Sequence, residues 1–276
     1  MKTIGFVDYY ISEWHANNYP AWIKEISEAT GEDFIVKYAW AEEYISPVDG
    51  RNTDEWCKSF DVEKCETIDE LCKKADYILV LAPGNPEKHL GYAKEVLKHQ
   101  KNTYIDKTFA PDFQTAKQIF ELAEKYGTRF FSTSALRCAK ELDDLVGVNA
   151  VITLGGGESL DEYIIHLIEM AQKVICESPT AVRVEKQGEQ YICSITFENN
   201  KKATLIFAPT LRGYSVCTDT ASKPISSPFF KELIADILRF YKTGEASFDI
   251  KQTLDIMKIR EAILTGRAAL GEWIKL

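Results

Sequence analysis

The chain has 276 residues, 45% hydrophobic and 27% charged, which suits two modest domains or one large one. With 33 basic against 42 acidic residues the net charge is −9, so a general nucleic-acid binder, which needs a basic surface, is not expected. No apolar run approaches the roughly 18 residues of a membrane span, and the start at Met1-Lys2-Thr3 enters a strand without a signal-peptide layout. The seven cysteines form no Cys-x-x-Cys pair. They read as free thiols of a reducing cytoplasm, with no metal site expected.

Residues 3–7 read as the first strand. A dinucleotide-binding turn would continue as Gly-x-Gly-x-x-Gly, because glycines let the backbone approach a pyrophosphate. This chain continues instead as Asp8-Tyr9-Tyr10-Ile11-Ser12-Glu13-Trp14-His15-Ala16-Asn17-Asn18-Tyr19-Pro20. A helix is expected to begin at Pro20, capped by Asn18 or Tyr19, and to stop at Gly31. Residues 34–40 form the second strand, with Glu42 and Glu43 just past its end, near where an acid would hold a ribose. Thr53 or Asp54 caps a short helix, and Thr67-Ile68-Asp69-Glu70 opens another as a capping box.

Residues 78–82 are an apolar run, as in a parallel strand covered on both faces, broken by Pro83, Gly84 and Pro86. A helix over 89–99 and a strand over 103–105 follow, and Asp106-Lys107 stands at that strand's carboxyl end. Ligands of open α/β sheets bind there. Lys107 is therefore either a solvated charge or a proton-handling group. A helix over 112–126, ended by Gly127, and a strand over 129–132 complete the alternation of a parallel sheet.

Near Ser132 the pattern changes. A helix over 136–145 and a strand over 149–154 precede Gly155-Gly156-Gly157, a hinge or helix-entry loop. An amphipathic helix over 159–174 leads to antiparallel strands at 181–185, 190–196, 203–208 and 213–217. A Ser/Thr/Pro loop and two helices, 228–241 and 251 to about 270, close the chain. The expected fold is α/β: an N-terminal Rossmann-like parallel sheet over 1–132, then a smaller α+β domain over 133–276 with a mostly antiparallel sheet.

Three further groups stand out. Trp14, His15 and Asn17 are either packing and capping residues or a clamp for a small ligand, the tryptophan stacking and the amide bonding hydroxyls. Arg137 is either a domain-interface salt bridge or an anion-binding group. Glu162 and His166, four apart, share a helix face, either as an ordinary pair or as a carboxylate orienting a base.

The segment Asp76-x-Ile-x-Val-x-Ala-Pro83, His89, Ala93, Leu97 and Tyr104-Ile-Asp-Lys-Thr-Phe-Ala110 resembles the strand–Pro–His–helix–Glu-Lys-Pro segment of the glucose–fructose oxidoreductase / inositol dehydrogenase (Gfo/Idh/MocA) family. Gly157-x-x-Leu-Asp-Glu-x-x-x-His-x-x-Glu169 is similar to its Asp-x-Gly-x-His-x-x-Asp helix, and Phe240-x-x-Thr-Gly244 to its tail. The chain departs from the pattern in lacking the glycine fingerprint. It also has Lys107-Thr108 for Lys-Pro, Ile164 for a glycine and Glu169 for an aspartate. The resemblance implies an NAD(P)-dependent dehydrogenase or reductase acting on a sugar, polyol or related hydroxyl or keto compound. Lys107 and His166 would handle the substrate proton, with Glu162 as orienter. Cofactor contacts, to NAD or NADP, are expected from Pro83, Asn85, His89 and Asp8, and substrate contacts from Trp14, His15, Asn17 and Arg137. It also implies a homo-oligomer, dimer or tetramer. The alternatives are a non-redox small-molecule sensor or binding protein without dinucleotide binding, and a cofactor-independent lyase or isomerase.

Overall fold

A computed structural model describes Met1–Leu276 in full. The chain first lays down β1 (Lys2–Asp8), α1 (Trp14–Thr30), β2 (Phe34–Ala41), α2 (Thr53–Phe60), β3 (Glu63–Lys64), α3 (Ile68–Lys74), β4 (Tyr77–Val80), α4 (His89–Val96), β5 (Thr103–Ile105), α5 (Phe113–Tyr126) and β6 (Phe130–Phe131). The six strands are parallel, in the order β3-β2-β1-β4-β5-β6. This is the doubly wound order in which the strand sequence reverses between β1 and β4, and ligands lie outside that crevice. Ile4, Phe6, Ile78, Leu79, Tyr104 and Phe131 are fully buried, as both faces of a parallel sheet demand. Helix ends follow local chemistry. Asn52 and Glu55 close a capping box on α2, Asp112 caps α5, and Gly31 and Gly127 end α1 and α5 in the left-handed region.

The rest of the chain forms β7 (Ala150–Gly155), α6 (Leu160–Ile175), β8 (Pro179–Gln187), β9 (Gln190–Phe197), β10 (Lys202–Phe207), β11 (Ser215–Cys217), β12 (Ser222–Pro224), α7 (Phe229–Thr243), α8 (Lys251–Gly266) and β13 (Trp273–Lys275). The second sheet runs β12-β11-β7-β10-β9-β8-β13 and is antiparallel except for the β7–β10 pair. Alternate strand residues (Val151, Leu205, Ile195, Val184) join Ile164, Leu167 and Ile168 of α6 and Ile259 and Ile263 of α8 in one core. The strand period of two sends Ile152, 40% exposed, to the other face. The glycine run is fixed by close packing. A Cβ on Gly156 would lie 2.0 Å from the Ala208 carbonyl oxygen.

The chain divides into two compact units, Met1–Ser132 with Leu233–Asp249, and Thr133–Glu232 with Ile250–Leu276. Residues 233–249 therefore do not belong with the rest of 133–276. Their aromatic residues explain it. Tyr241 stacks on Tyr77 at 4.8 Å and donates to the Ile78 carbonyl at 2.7 Å, while Phe240 packs edge-on against Phe131. Burying each such ring stabilises by about 1.5–3 kcal/mol.

Other expectations change locally. α1 begins at Trp14, not Pro20, and Pro20 lies within it. The region expected as a helix over 136–145 is two 3-10 segments, Ala135–Cys138 and Lys140–Leu145, separated by extended Ala139. Edge strands β12 and β13 are too short to show a period in the sequence. No helix is long and apolar enough to cross a membrane. All seven cysteines are free thiols, and burial pushes Cys57 and Cys72 up to about 12, which leaves them poor nucleophiles.

Candidate functional site

In the first unit, β1, β4 and β5 end side by side and bring Asp8, Pro83, His89 and Lys107 together. Asp8 is buried at the tip of β1. Its Oδ1 accepts from the amides of Tyr9 (2.7 Å) and Ala82 (2.9 Å), while Oδ2 is buried without a hydrogen-bond partner. Burial, and then the Glu13 carboxylate, raise the Asp8 pKa well above the usual carboxylate range, against the two amide bonds. Ala82 holds a left-handed φ of 59°, a strained conformation for a residue with a Cβ. That turn sends Pro83 over the sheet end. The Lys107 ammonium donates to the Pro83 carbonyl at 3.1 Å and lies 4.0 Å from Asp106 Oδ2, with the side chain 18% exposed. The Lys107–Thr108 peptide is cis, where the family pattern has Lys-Pro.

His89 is not available to a cofactor through its ring nitrogens. It is fully buried, with Nε2 2.7 Å from the Leu81 carbonyl and Nδ1 3.0 Å from the Phe109 carbonyl. Burial lowers its pKa, although both carbonyls favour a proton. A neutral ring has a single N–H, so one of these contacts lacks a proton. His89 clamps the β4 turn to the segment after Lys107, and so positions both. Asn85 is likewise engaged locally, donating to Glu87 at 2.9 Å.

The turn between β1 and α1 is held from within. Glu13 caps α1, its carboxylate accepting from the amides of His15 (2.8 Å) and Ala16 and lying 2.9 Å from His15 Nδ1. Trp14, His15 and Asn17 thus sit on the first turns of a helix rather than on a loop. Asn17 is committed to structure, accepting from Trp56 Nε1 at 2.8 Å. Trp14 is 50% exposed and packs edge-on against Trp22 and His15. Past β2, Glu42 accepts from Tyr92 Oη (2.7 Å) and pairs with Lys88 (2.5 Å). These residues do not fit the pyrophosphate of a nicotinamide dinucleotide at this turn. The helix amides that would receive it are taken by a carboxylate, and a second carboxyl lies buried beside them.

In the second unit the residues gather around the first half of α6. His166 Nδ1 lies 2.7 Å from Ser134 Oγ, and that oxygen accepts from the Leu136 amide. The Ser134 hydroxyl can donate to Nδ1 or accept from it, and either way it fixes the orientation of the ring. Glu162 is not the orienter: it is exposed on the first turn of α6, and its amide donates to Ser159. The buried carboxylate of this helix is Glu169. It accepts from Thr133 Oγ1 and the Ser134 amide, both at 3.1 Å, and from Arg137 Nη1 at 3.3 Å. Burial raises its pKa, opposed chiefly by Arg137. Arg137, 5% exposed, forms a buried ion pair with Glu169 and also donates to Gln252, both in the second unit.

Sequence reasoning missed Glu13, Ser134 and Ala82. Glutamate is not a favoured N-cap residue, so the start of α1 carried no signal. Ser134 precedes a 3-10 turn, and a capping reading could have found it. Nothing in an Ala-Pro pair announces a positive φ. No group of three or more His, Cys, Asp or Glu side chains is arranged to hold a metal ion.

Residues 43–134 match the model of an oxidoreductase family with an NAD-binding Rossmann fold, GFO_IDH_MocA. That match begins past the β1–α1 turn. The uncharacterised oxidoreductase YhhX of Escherichia coli (strain K12) is 35% identical over 60 residues, a stretch that covers 22% of this chain and 17% of that protein. Among solved structures, the aldose-aldose oxidoreductase of Caulobacter crescentus, complexed with glycerol, superposes with a TM-score of 0.77 over 100% of this chain and 99% of that one, at 14% identity. The UDP-N-acetylglucosamine 3-dehydrogenase GnnA of Acidithiobacillus ferrooxidans gives 0.75 at 11% identity, over 98% and 97%. GenD2 of gentamicin A biosynthesis, solved with NAD, gives 0.74 at 11%, over 100% and 97%. At these identities the structures speak to fold, and they share it across both units. The segment that carries Lys107 thus matches the Gfo/Idh/MocA oxidoreductase family model, and the solved structures share the fold of the whole chain.

Proposed function

We propose that the protein is an oxidoreductase acting on a hydroxyl or keto group of a sugar, polyol or related compound. The observation that carries this reading is Lys107, an amine at the carboxyl end of β5 inside the family-matched segment, held by the Pro83 carbonyl and partly open to solvent. An amine so placed can give a proton to, or take one from, a substrate oxygen. His166, held at Nδ1 by Ser134, would present Nε2 to a substrate oxygen. The sugar class is supported by the names of the solved relatives, an aldose-aldose oxidoreductase and a UDP-N-acetylglucosamine 3-dehydrogenase. The redox partner in such a family is NAD or NADP. A cytoplasmic homo-oligomer, dimer or tetramer, belongs to the same reading.

The test is turnover of a sugar and polyol panel with each of NAD(H) and NADP(H), repeated with Lys107→Met and His166→Ala. Turnover that either substitution reduces by about a hundredfold or more supports the assignment. Absence of any oxidation or reduction across the panel removes it. A second reading, a non-redox small-molecule sensor or binding protein, is favoured by one specific observation: the carboxyl groups of Glu13 and Asp8 occupy the β1–α1 turn.

A further inference from the structure

The groove where a doubly wound sheet receives a dinucleotide has three working parts. These are a glycine-lined first turn, the amides at the start of the following helix, and an acid past the second strand that holds the ribose. Here the first turn has no glycine, and all three positions are occupied by the chain itself. At the turn, Asp8 stands at the end of β1, its carboxyl bonded to the Tyr9 and Ala82 amides and 1% exposed. At the helix start, the Glu13 carboxylate, 5% exposed, takes the His15 and Ala16 amides and the His15 ring nitrogen. Past β2, Glu42 is bonded to Tyr92 and Lys88, and the Lys88 ammonium lies 4.5 Å over the Tyr9 ring. The turn is also fastened from outside: Ser12 Oγ donates to Asp49 at 2.7 Å, and Ser46 Oγ donates to the Ser12 carbonyl at 2.6 Å.

The comparison of charges decides the outcome. A helix N-terminus attracts an anion because its first amides lack partners. Here a carboxylate of the same chain supplies the partner at a high effective concentration, and a pyrophosphate would have to displace it while approaching a second carboxyl group. We infer that Glu13 is a built-in substitute for the pyrophosphate and that, with Asp8, it closes the first turn to nicotinamide dinucleotides. This inference rests on the family placement and deepens the proposed function: whatever the site receives, it does not receive a diphosphate at the start of α1.

The experiment is fluorescence and calorimetric titration of the full chain with NADH and NADPH, the wild type beside Asp8→Gly/Glu13→Gly and Glu13→Gln. Circular dichroism establishes that each variant is folded. The wild type is expected to bind either cofactor only weakly, with half-saturation in the millimolar range. The folded double variant is expected to bind at least about tenfold more tightly, and Glu13→Gln, which keeps an acceptor for the amides and removes the charge, severalfold more tightly. Wild-type binding in the micromolar range overturns the inference while leaving the oxidoreductase reading intact. Variants that bind no better than the wild type overturn the assignment to these two carboxyl groups; if the double variant does not fold, Glu13→Gln alone decides it. A wild type that binds neither cofactor and turns over no substrate sustains the inference and removes the nicotinamide-dependent reading instead.

Discussion

Two buried glutamates, one in each unit, are accommodated in different ways. Glu169 in α6 meets a cation: Arg137 lies beside it, and Thr133 and the Ser134 backbone complete its hydrogen bonds. Glu13 meets no lysine or arginine among its hydrogen bonds and relies on helix amides and an imidazole. The difference teaches where to look for function. Glu169 is a lock whose burial fixes Ser134 and, through it, the His166 ring. Glu13 caps the helix that follows β1, the position where doubly wound sheets commonly receive a phosphate.

The largest expected effect tests the lock. Arg137→Ala leaves Glu169 buried without its cation and should lower stability to urea by about 3–5 kcal/mol. A loss under about 1 kcal/mol would show that Glu169 and Glu13 do not differ as described. Glu13→Ala removes only a cap and should cost about 1 kcal/mol in the same measurement. Ser134→Ala sharpens the comparison from the other side. It should change the tautomer balance of the His166 ring, read by ring ¹⁵N chemical shifts, with little change in the melting temperature. Unchanged ring shifts would show that Ser134 does not set the tautomer.

A third carboxylate supplies the pH axis. Glu141 accepts from the Ser226 and Ser227 amides and hydroxyls at 2.6–3.0 Å. Burial opposes its ionisation, but these bonds win and hold it at about 2, against 4.5 for an ordinary glutamate. Its folded value is depressed, so its contribution is present above about pH 4.5 and disappears as the pH falls towards 2. Glu141→Gln should flatten acid unfolding in that window, and an unchanged acid transition would refute the role. The smallest effect is Ala82→Gly, which relieves the left-handed φ and should stabilise by about 1 kcal/mol or less. Destabilisation would mean that the methyl group packs better than the backbone suffers.

The parallel sheet was legible because its strands are apolar runs punctuated by glycine and proline, as at Ile78 to Pro86. The helix of Glu162 and His166 was legible for the same reason, from the spacing of its apolar residues. What stayed hidden depends on partners far away in sequence. The spacing of Glu162 and His166 suggested a pair, yet His166 turns to Ser134, which lies on a loop before the second sheet. Arg137 read as an interface salt bridge or an anion-binding group, and its carboxylate partner, Glu169, lies 32 residues away in sequence. The start of α1 was misjudged because Pro20 imitates a helix start and Glu13 does not look like a cap.

The return of Leu233–Asp249 to the first unit has a consequence for dissection of the chain. A fragment ending at Ser132 would keep every strand of the parallel sheet and lose Phe240 and Tyr241 from its surface. Tyr77 would lose its stacking partner, the Ile78 carbonyl its phenol donor, and Phe131 its neighbouring ring. Anyone wishing to isolate the amino-terminal half must therefore graft that returning segment onto it rather than cut at the change of pattern.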